Sequence, residues 1–118
     1  MPRRTEESEW LEELISQWAE VQKKSTTTLV LLRSIREFEA ESQPANAAAL
    51  TERFTAVTGW TITERALYRT LRRLVDCRIL ESMEVVVPRT GKKRNDLILT
   101  ALGGEYLERI EAIYARIS

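Results

Sequence analysis

The residues of this sequence with the clearest chemical potential are arginines that recur at helical spacing in its second half. Arg65, Arg69 and Arg72 are separated by four and three residues, which places them on one face of a helix. A guanidinium group is permanently charged and holds its donors in a planar fork that fits phosphate oxygens and the edge of guanine. The stripe therefore predicts a surface for an anionic polymer. The alternative, for an arbitrary helix, is a charged face in contact with solvent only.

A second group of cations lies in a turn that contains Gly91. The β-branched run 83–87 and the alternating run 96–100 predict one strand on each side of this turn. Together they predict a hairpin over residues 83–100 with a cationic tip. Cations at such a tip are suited to contact phosphates, which positions a protein on a backbone more than it reads a sequence. These cations are Arg89, Lys92, Lys93 and Arg94.

Positive charge is concentrated in one third of the chain, although the net charge is zero. Residues 61–100 carry nine lysines and arginines against five acids, a balance of +4. Residues 1–60 carry seven against ten, a balance of −3, and residues 101–118 have a balance of −1. Because a phosphate-binding surface needs a local excess of cations, this distribution favours nucleic acid as a partner.

The composition argues against catalysis and against metal binding. The chain has no histidine, so the usual general base and the usual metal ligand are both missing. Cys77 is the only cysteine, which precludes an intrachain disulfide and fits a reducing cytoplasm. No apolar run approaches the ~20 residues that would span a bilayer. We therefore expect no enzyme activity, no catalytic residue, no cofactor, no metal and no membrane association.

The elements that would carry the cations are mostly helical. Apolar residues at intervals of three and four predict a first helix over residues 8–24. The Ser-Thr run 25–28 predicts an interruption, followed by a second helix that ends near Ser42. Pro44 is suited to open a third helix, which Gly59 would stop.

The arginine stripe lies on a predicted fourth helix over residues 61–77. Thr61 and Thr63 are alternative N-caps for it. Thr100 is suited to cap a last helix over residues 101–117. The face of the fourth helix opposite the arginines is apolar and predicted to be buried; it consists of Leu67, Leu71 and Leu74.

Four side chains near the stripe have more than one role open to them. Thr61 and Thr63 are better suited to capping than to reading bases, and a capped N-terminus still favours phosphate. Tyr68 is suited equally to donate to a phosphate and to lie half-buried against the preceding helix. Arg73 lies off the stripe by helical phase, which leaves it two other roles: to support the backbone or to form an ion pair.

Three helices followed by a basic hairpin, with one more helix at each end, is the order of a winged helix-turn-helix. The stretch ALYRTLRRL at 66–74, followed by Ile79 and Leu80, resembles the recognition helix of PadR-type transcriptional regulators. The segment 97–103 resembles the strand-to-helix "LT-x-x-G" segment of that family. The resemblance covers residues 28–107.

Two positions depart from the pattern of the family. A glycine commonly lies in the turn after the recognition helix, where this chain has Cys77 and Arg78. The wing often has a tyrosine before the "LT" segment, where this chain has Leu97 and Ile98. The resemblance implies a dimeric repressor whose terminal helices form the dimer interface.

We therefore predict one domain over residues 1–118, mainly α with a small β-hairpin: a winged helix-turn-helix flanked by N- and C-terminal helices. The expected function is sequence-specific binding of double-stranded promoter DNA in the cytoplasm, on the nucleoid when bound. Helices 8–24 and 101–117 would form a homodimer, and the sequence leaves open whether a small-molecule effector acts on it. The alternative is a winged-helix protein–protein adaptor that does not bind DNA. The residues predicted to contact DNA, through recognition helix 61–77 and wing 83–100, are Thr61, Thr63, Arg65, Tyr68, Arg69, Arg72, Arg89, Lys92, Lys93 and Arg94.

Overall fold

The computed structural model describes residues 5–117 and confirms a mainly helical fold with one two-stranded antiparallel hairpin. The molecule is elongated, with extents of 66 × 33 × 25 Å, since its first helix alone has 36 residues. The elements in chain order are α1 (Thr5–Ala40), α2 (Ala47–Thr58), α3 (Glu64–Asp76), β1 (Leu80–Val86), β2 (Lys93–Leu99) and α4 (Ala101–Ile117).

The predicted interruption at 25–28 is wrong, because α1 continues without a break through these residues. The hydroxyl of Thr27 donates to the carbonyl oxygen of Lys23 at 2.8 Å, and that of Thr28 to Lys24 at 3.3 Å. Threonine hydroxyls that bond back to the carbonyl four residues earlier are satisfied within the helix. These threonines therefore do not cap a new helix.

The two halves of α1 have different surroundings. In the C-terminal half, Leu31, Leu32 and Ile35 are fully buried. In the N-terminal half, large apolar side chains are exposed, and Trp18 keeps 68% of its surface accessible. Only the second half of α1 thus belongs to the core of the protomer.

The core is formed by side chains from every element. Burial of one large apolar side chain contributes about 1.5–3 kcal/mol, so this cluster dominates the stability of the domain. Besides residues of α1, the fully or almost fully buried side chains are Leu50 and Phe54 of α2, Leu67, Leu71 and Leu74 of α3, Leu80 of β1, Leu97 of β2 and Leu107 of α4.

Side-chain caps set the starts of α2 and α3. The Asn46 side chain accepts from the backbone N–H of Ala49 at 2.9 Å, so α2 begins after Asn46 and not at Pro44 as predicted. The hydroxyl of Thr63 accepts from the N–H of Ala66 at 3.1 Å, which identifies Thr63 as the N-cap of α3. Gly59 ends α2 with φ 74°, as predicted for a glycine beyond a helix end.

The residue that follows the end of α3 has a left-handed backbone conformation, although it is not a glycine. Arg78 has φ 65°, and its N–H donates to the carbonyl oxygen of Val75, while that of Ile79 donates to Leu74. This pair of bonds is the Schellman motif, in which glycine is the usual left-handed residue. Arg78 thus occupies, in this chain, the position of the motif at which a glycine is usual.

The wing begins earlier than predicted, at Leu80 instead of residue 83, and its return strand begins at Lys93 instead of residue 96. The turn is correspondingly short, since the N–H of Val87 donates to the carbonyl oxygen of Lys92 at 2.8 Å. The polar residues at both strand ends belong to the ladder because their backbones pair, regardless of their weak strand propensity.

Thr100 joins the wing to α4. Its hydroxyl accepts from the N–H of Gly103 at 2.9 Å, which confirms the predicted cap, and donates to the carbonyl oxygen of Arg78 at 2.7 Å. The N–H of Leu97 donates to Ala45 at 2.9 Å, so β2 is also bound to the α1–α2 loop. These bonds fix the orientation of the wing relative to α3.

Candidate nucleic-acid interface

The exposed face of α3 carries the predicted arginine stripe. Arg65, Arg69 and Arg72 are all exposed, while the leucines on the opposite face are at least 96% buried. Within residues 5–117, none of the three arginines forms an ion pair. Their charges are therefore available to an external anion.

Arg73 has a structural contact instead. Its Nη2 donates to the hydroxyl of Thr28 at 3.0 Å, which connects α3 to α1. The ion pair that the sequence left open for Arg73 does not form within residues 5–117, since its partner is a neutral hydroxyl. The contact holds α3 against the part of α1 that enters the core.

The N-terminal end of α3 is open to solvent. Thr61 and Thr63 are both exposed, and Thr63 caps the helix. Free N–H groups in the first turn of a helix favour an anion beyond that end. Tyr68, one turn further on, keeps 52% of its surface accessible, which is compatible with both of the roles that the sequence leaves open to it.

The tip of the wing presents a further set of cations. Arg89 and Lys92 are exposed and have no ion pair within the described part of the chain. Lys93 pairs with Glu84 at 3.2 Å across the two strands, but both side chains are more than half exposed. Such a pair is worth about 0–1 kcal/mol, so a phosphate can compete for Lys93.

Arg94 differs from the other three wing cations. Its Nε and Nη2 donate to the two carboxylate oxygens of Asp96 at 2.7 and 3.0 Å. These hydrogen bonds raise the pKa of Arg94 above its ordinary value. The sequence contained the signal for this pair, because residues two apart on a strand lie on the same face. The charge of Arg94 is thus compensated locally.

A cleft of about 670 Å³ lies between α3 and the wing. Tyr68 and Arg72 line it from α3, and Lys93 lines it from β2. Asn46 and Ala47 line it from the start of α2, a contribution that the sequence analysis missed because it depends on tertiary packing. Of the three stripe arginines, Arg72 lines this cleft, and it does so together with Lys93 and Arg94 of the wing.

The described residues hold neither of two features that would indicate another class of site. No group of three or more Cys, Asp or Glu side chains within residues 5–117 is arranged to hold a metal ion. None of the helices in that range has both the length and the apolar character needed to cross a bilayer.

The fold and this surface define a winged helix-turn-helix protein, and comparison with solved structures confirms the resemblance to PadR regulators at the level of the fold. A PadR-family transcriptional regulator from Eggerthella lenta superposes with a TM-score of 0.70 and 24% identity over 91% of this chain and 88% of its own. A PadR-like transcription factor from Bacteroides fragilis gives a TM-score of 0.66 and 22% identity over 86% of this chain and 91% of its own.

The similarity extends beyond that family. A winged-helix DNA-binding protein from STIV superposes with a TM-score of 0.59 and 19% identity, covering 75% of this chain and 87% of its own. A scan against protein-family models gives no match, and a sequence search of curated proteins gives none either. The likeness is therefore one of fold, carried by the arrangement of helices and wing.

Proposed function

We propose that this protein is a sequence-specific, double-stranded-DNA-binding transcriptional regulator that acts as a dimeric repressor. The observation that carries the proposal is the set of three exposed arginines on α3, which are free of ion pairs within residues 5–117; one of them, Arg72, lines the same cleft as Lys93 of the wing. The DNA-binding function of the structurally similar protein from STIV and the regulator function of the two structurally similar PadR-type proteins support it.

In this proposal α3 lies in the major groove, which is wide enough for one helix. Arg65, Arg69 and Arg72 face the base edges and the adjacent phosphates, and each arginine that is bidentate to guanine would contribute about 1–3 kcal/mol of discrimination. Thr61, Thr63 and Tyr68 lie at the edge of the same surface and suit phosphate contacts. At the wing, Arg89, Lys92 and Lys93 contact the flanking backbone, and Arg94 does so only if it leaves Asp96.

The proposed dimer forms through the apolar side chains that α1 and α4 leave exposed. Trp10, Leu14 and Trp18 recur at intervals of four along the protruding half of α1, and all three are more than 40% exposed. Ile113 and Ile117 extend the apolar surface at the end of α4. Exposed apolar side chains that cluster on one helix face indicate an interaction site. Two copies of α3 about 34–36 Å apart would then read half-sites one helical turn apart.

Repression would follow from occupation of the promoter in the cytoplasm, on the nucleoid, and we expect no catalytic activity.

The test is fluorescence anisotropy of the purified protein with a pool of genomic duplexes, titrated over salt. Log affinity should fall linearly with log salt, since binding releases counterions from the phosphates. Sequencing the retained duplexes should give a recurrent two-fold-symmetric site. Absence of binding at low salt would contradict the proposal and favour a protein–protein adaptor, which the zero net charge of the chain also suits.

A further inference from the structure

A second cleft, of about 850 Å³, lies on the flank of α3 that faces away from the wing, between α1, α3 and α4. Lys23 and Lys24 of α1 line it, and so do Arg69 and Arg73 of α3. All four side chains are exposed. Among the lining residues that the structure describes, Glu20 is the one carboxylate. The second flank of α3 is therefore basic, as the flank beside the wing is.

The charges of these cations are not compensated by the protein. Lys23, Lys24 and Arg69 take part in no ion pair within residues 5–117. Arg73 donates from Nη2 to the neutral hydroxyl of Thr28 at 3.0 Å. A guanidinium group carries donors on all three of its nitrogens, so this bond fixes the position of Arg73 and leaves further donors for a phosphate.

The charge of α1 changes sign where the helix reaches α3. Residues 5–20 contain six glutamates and no lysine or arginine. Lys23 and Lys24 follow Glu20 within about one turn and line the same cleft as Arg69. A polyanion repels the acidic part of such a helix and attracts the basic part. The two lysines thus lie at the place on α1 that suits an anionic partner already in contact with α3.

The major groove has a wall for each flank of the recognition helix. The groove is about 12 Å wide, and a helix with its side chains measures about 10–12 Å across, so a phosphate backbone runs along each side of a helix that lies in it. In the proposed function the wing contacts the backbone beside one flank of α3. The other flank, with Arg69 and Arg73, then faces the backbone on the opposite side of the groove, and α1 adjoins that flank.

We propose that the DNA interface extends from α3 onto α1, where Lys23 and Lys24, with Arg73 beside them, bind the phosphate backbone on the side of the major groove opposite to the wing. The inference rests on the proposed function, because it requires α3 to lie in the groove. Phosphate contacts position a protein on the duplex and carry no sequence information. The two lysines therefore contribute affinity for every duplex alike.

The test is fluorescence anisotropy of the full chain with a labelled duplex of mixed sequence, about three helical turns long, titrated over salt. The variant Lys23→Gln/Lys24→Gln changes two exposed side chains and should reduce the slope of log affinity against log salt by about 2, since each phosphate contact contributes about 0.9. Lys23→Arg/Lys24→Arg keeps both charges and should keep the slope. The control Arg109→Gln/Arg116→Gln removes the same charge from α4 outside the cleft and should also keep it. Sedimentation velocity compares the oligomeric state of all variants with that of the wild type.

An unchanged slope in the glutamine variant, with a wild type that binds the duplex, would overturn the inference and leave the proposed function standing. An equal reduction in the α4 control would also overturn it, because the effect would then follow the net charge and not the position of the lysines. A change of oligomeric state in the glutamine variant would assign the two lysines to the dimer instead. Absence of duplex binding by the wild type would contradict the proposed function and this inference with it.

Discussion

The carbonyl oxygen of Ile79 lies against the backbone of Gly103, in the space that a Cβ at position 103 would occupy. The N–H of Thr100 donates to this oxygen at 3.2 Å, so the oxygen cannot move away without breaking a hydrogen bond. The contact brings the end of the α3–wing connection onto the first turn of α4. It gives a physical reason for the glycine of the "LT-x-x-G" segment.

Replacing Gly103 by alanine should therefore destabilise the protein by about 3 kcal/mol, the upper part of the usual range for an overpacked site. Gly104 is the matched control, because nothing lies within 4 Å of a Cβ at that position. Gly104→Ala should stabilise the protein by about 0.5–1 kcal/mol, since alanine is the better helix former. Urea denaturation measures the free energy of unfolding of both variants. Equal effects of the two substitutions would show that the carbonyl group of Ile79 can shift at little cost.

The left-handed conformation of Arg78 gives a prediction of opposite sign. Its φ of 65° costs about 1–2 kcal/mol for a residue with a Cβ, and glycine adopts it without that cost. Arg78→Gly should thus raise the free energy of unfolding by about 1 kcal/mol, while Arg78→Ala, which keeps the Cβ, should not. Thermal unfolding followed by circular dichroism distinguishes the two; stabilisation by both would point to relief of charge repulsion instead.

The sequence predicts a structural feature correctly where the residue type and its spacing allow only one role. Leu67, Leu71 and Leu74 are apolar at helical spacing, so they predict a buried face, and they are buried. Gly59 after an amphipathic run predicts a helix end. Thr100 before an apolar run predicts a cap, and it caps α4.

Periodicity does not predict the features that depend on a choice between two local bonds or on distant packing. Thr28 can cap a new helix or bond back within an existing one, and the sequence contains no signal that selects the second. The cleft beside Tyr68 exists only because α2, α3 and the wing pack together.

The cations of α3 and of the wing should have separable effects on DNA binding. Arg72→Gln, on the exposed face of α3, should cost about 1–3 kcal/mol at the bases that it reads and relax the sequence preference there. Lys92→Gln, at the wing tip, should weaken all duplexes alike and reduce the slope of log affinity against log salt by about 1. Arg109→Gln on α4 serves as the control of equal charge. If Arg72→Gln changed only the salt slope, the stripe would contact phosphates and not bases.

The apolar stripe on the protruding half of α1 should be required for the dimer but not for the fold. Trp18→Glu places a charge where an apolar side chain is 68% exposed in the protomer, so folding should be unaffected while a charge would have to be buried in the dimer. Sedimentation velocity at micromolar concentration should then show a monomer with the circular dichroism of the wild type. Ser16→Glu adds the same charge at an exposed position on the opposite face of the helix, two residues from Trp18, and should remain dimeric. A dimer in both variants would mean that another surface, such as the exposed end of α4, holds the two copies together.

Because two half-sites are bound in concert by a dimer, the monomeric variant should also lose most of its affinity for a two-fold-symmetric site while keeping its affinity for a single half-site.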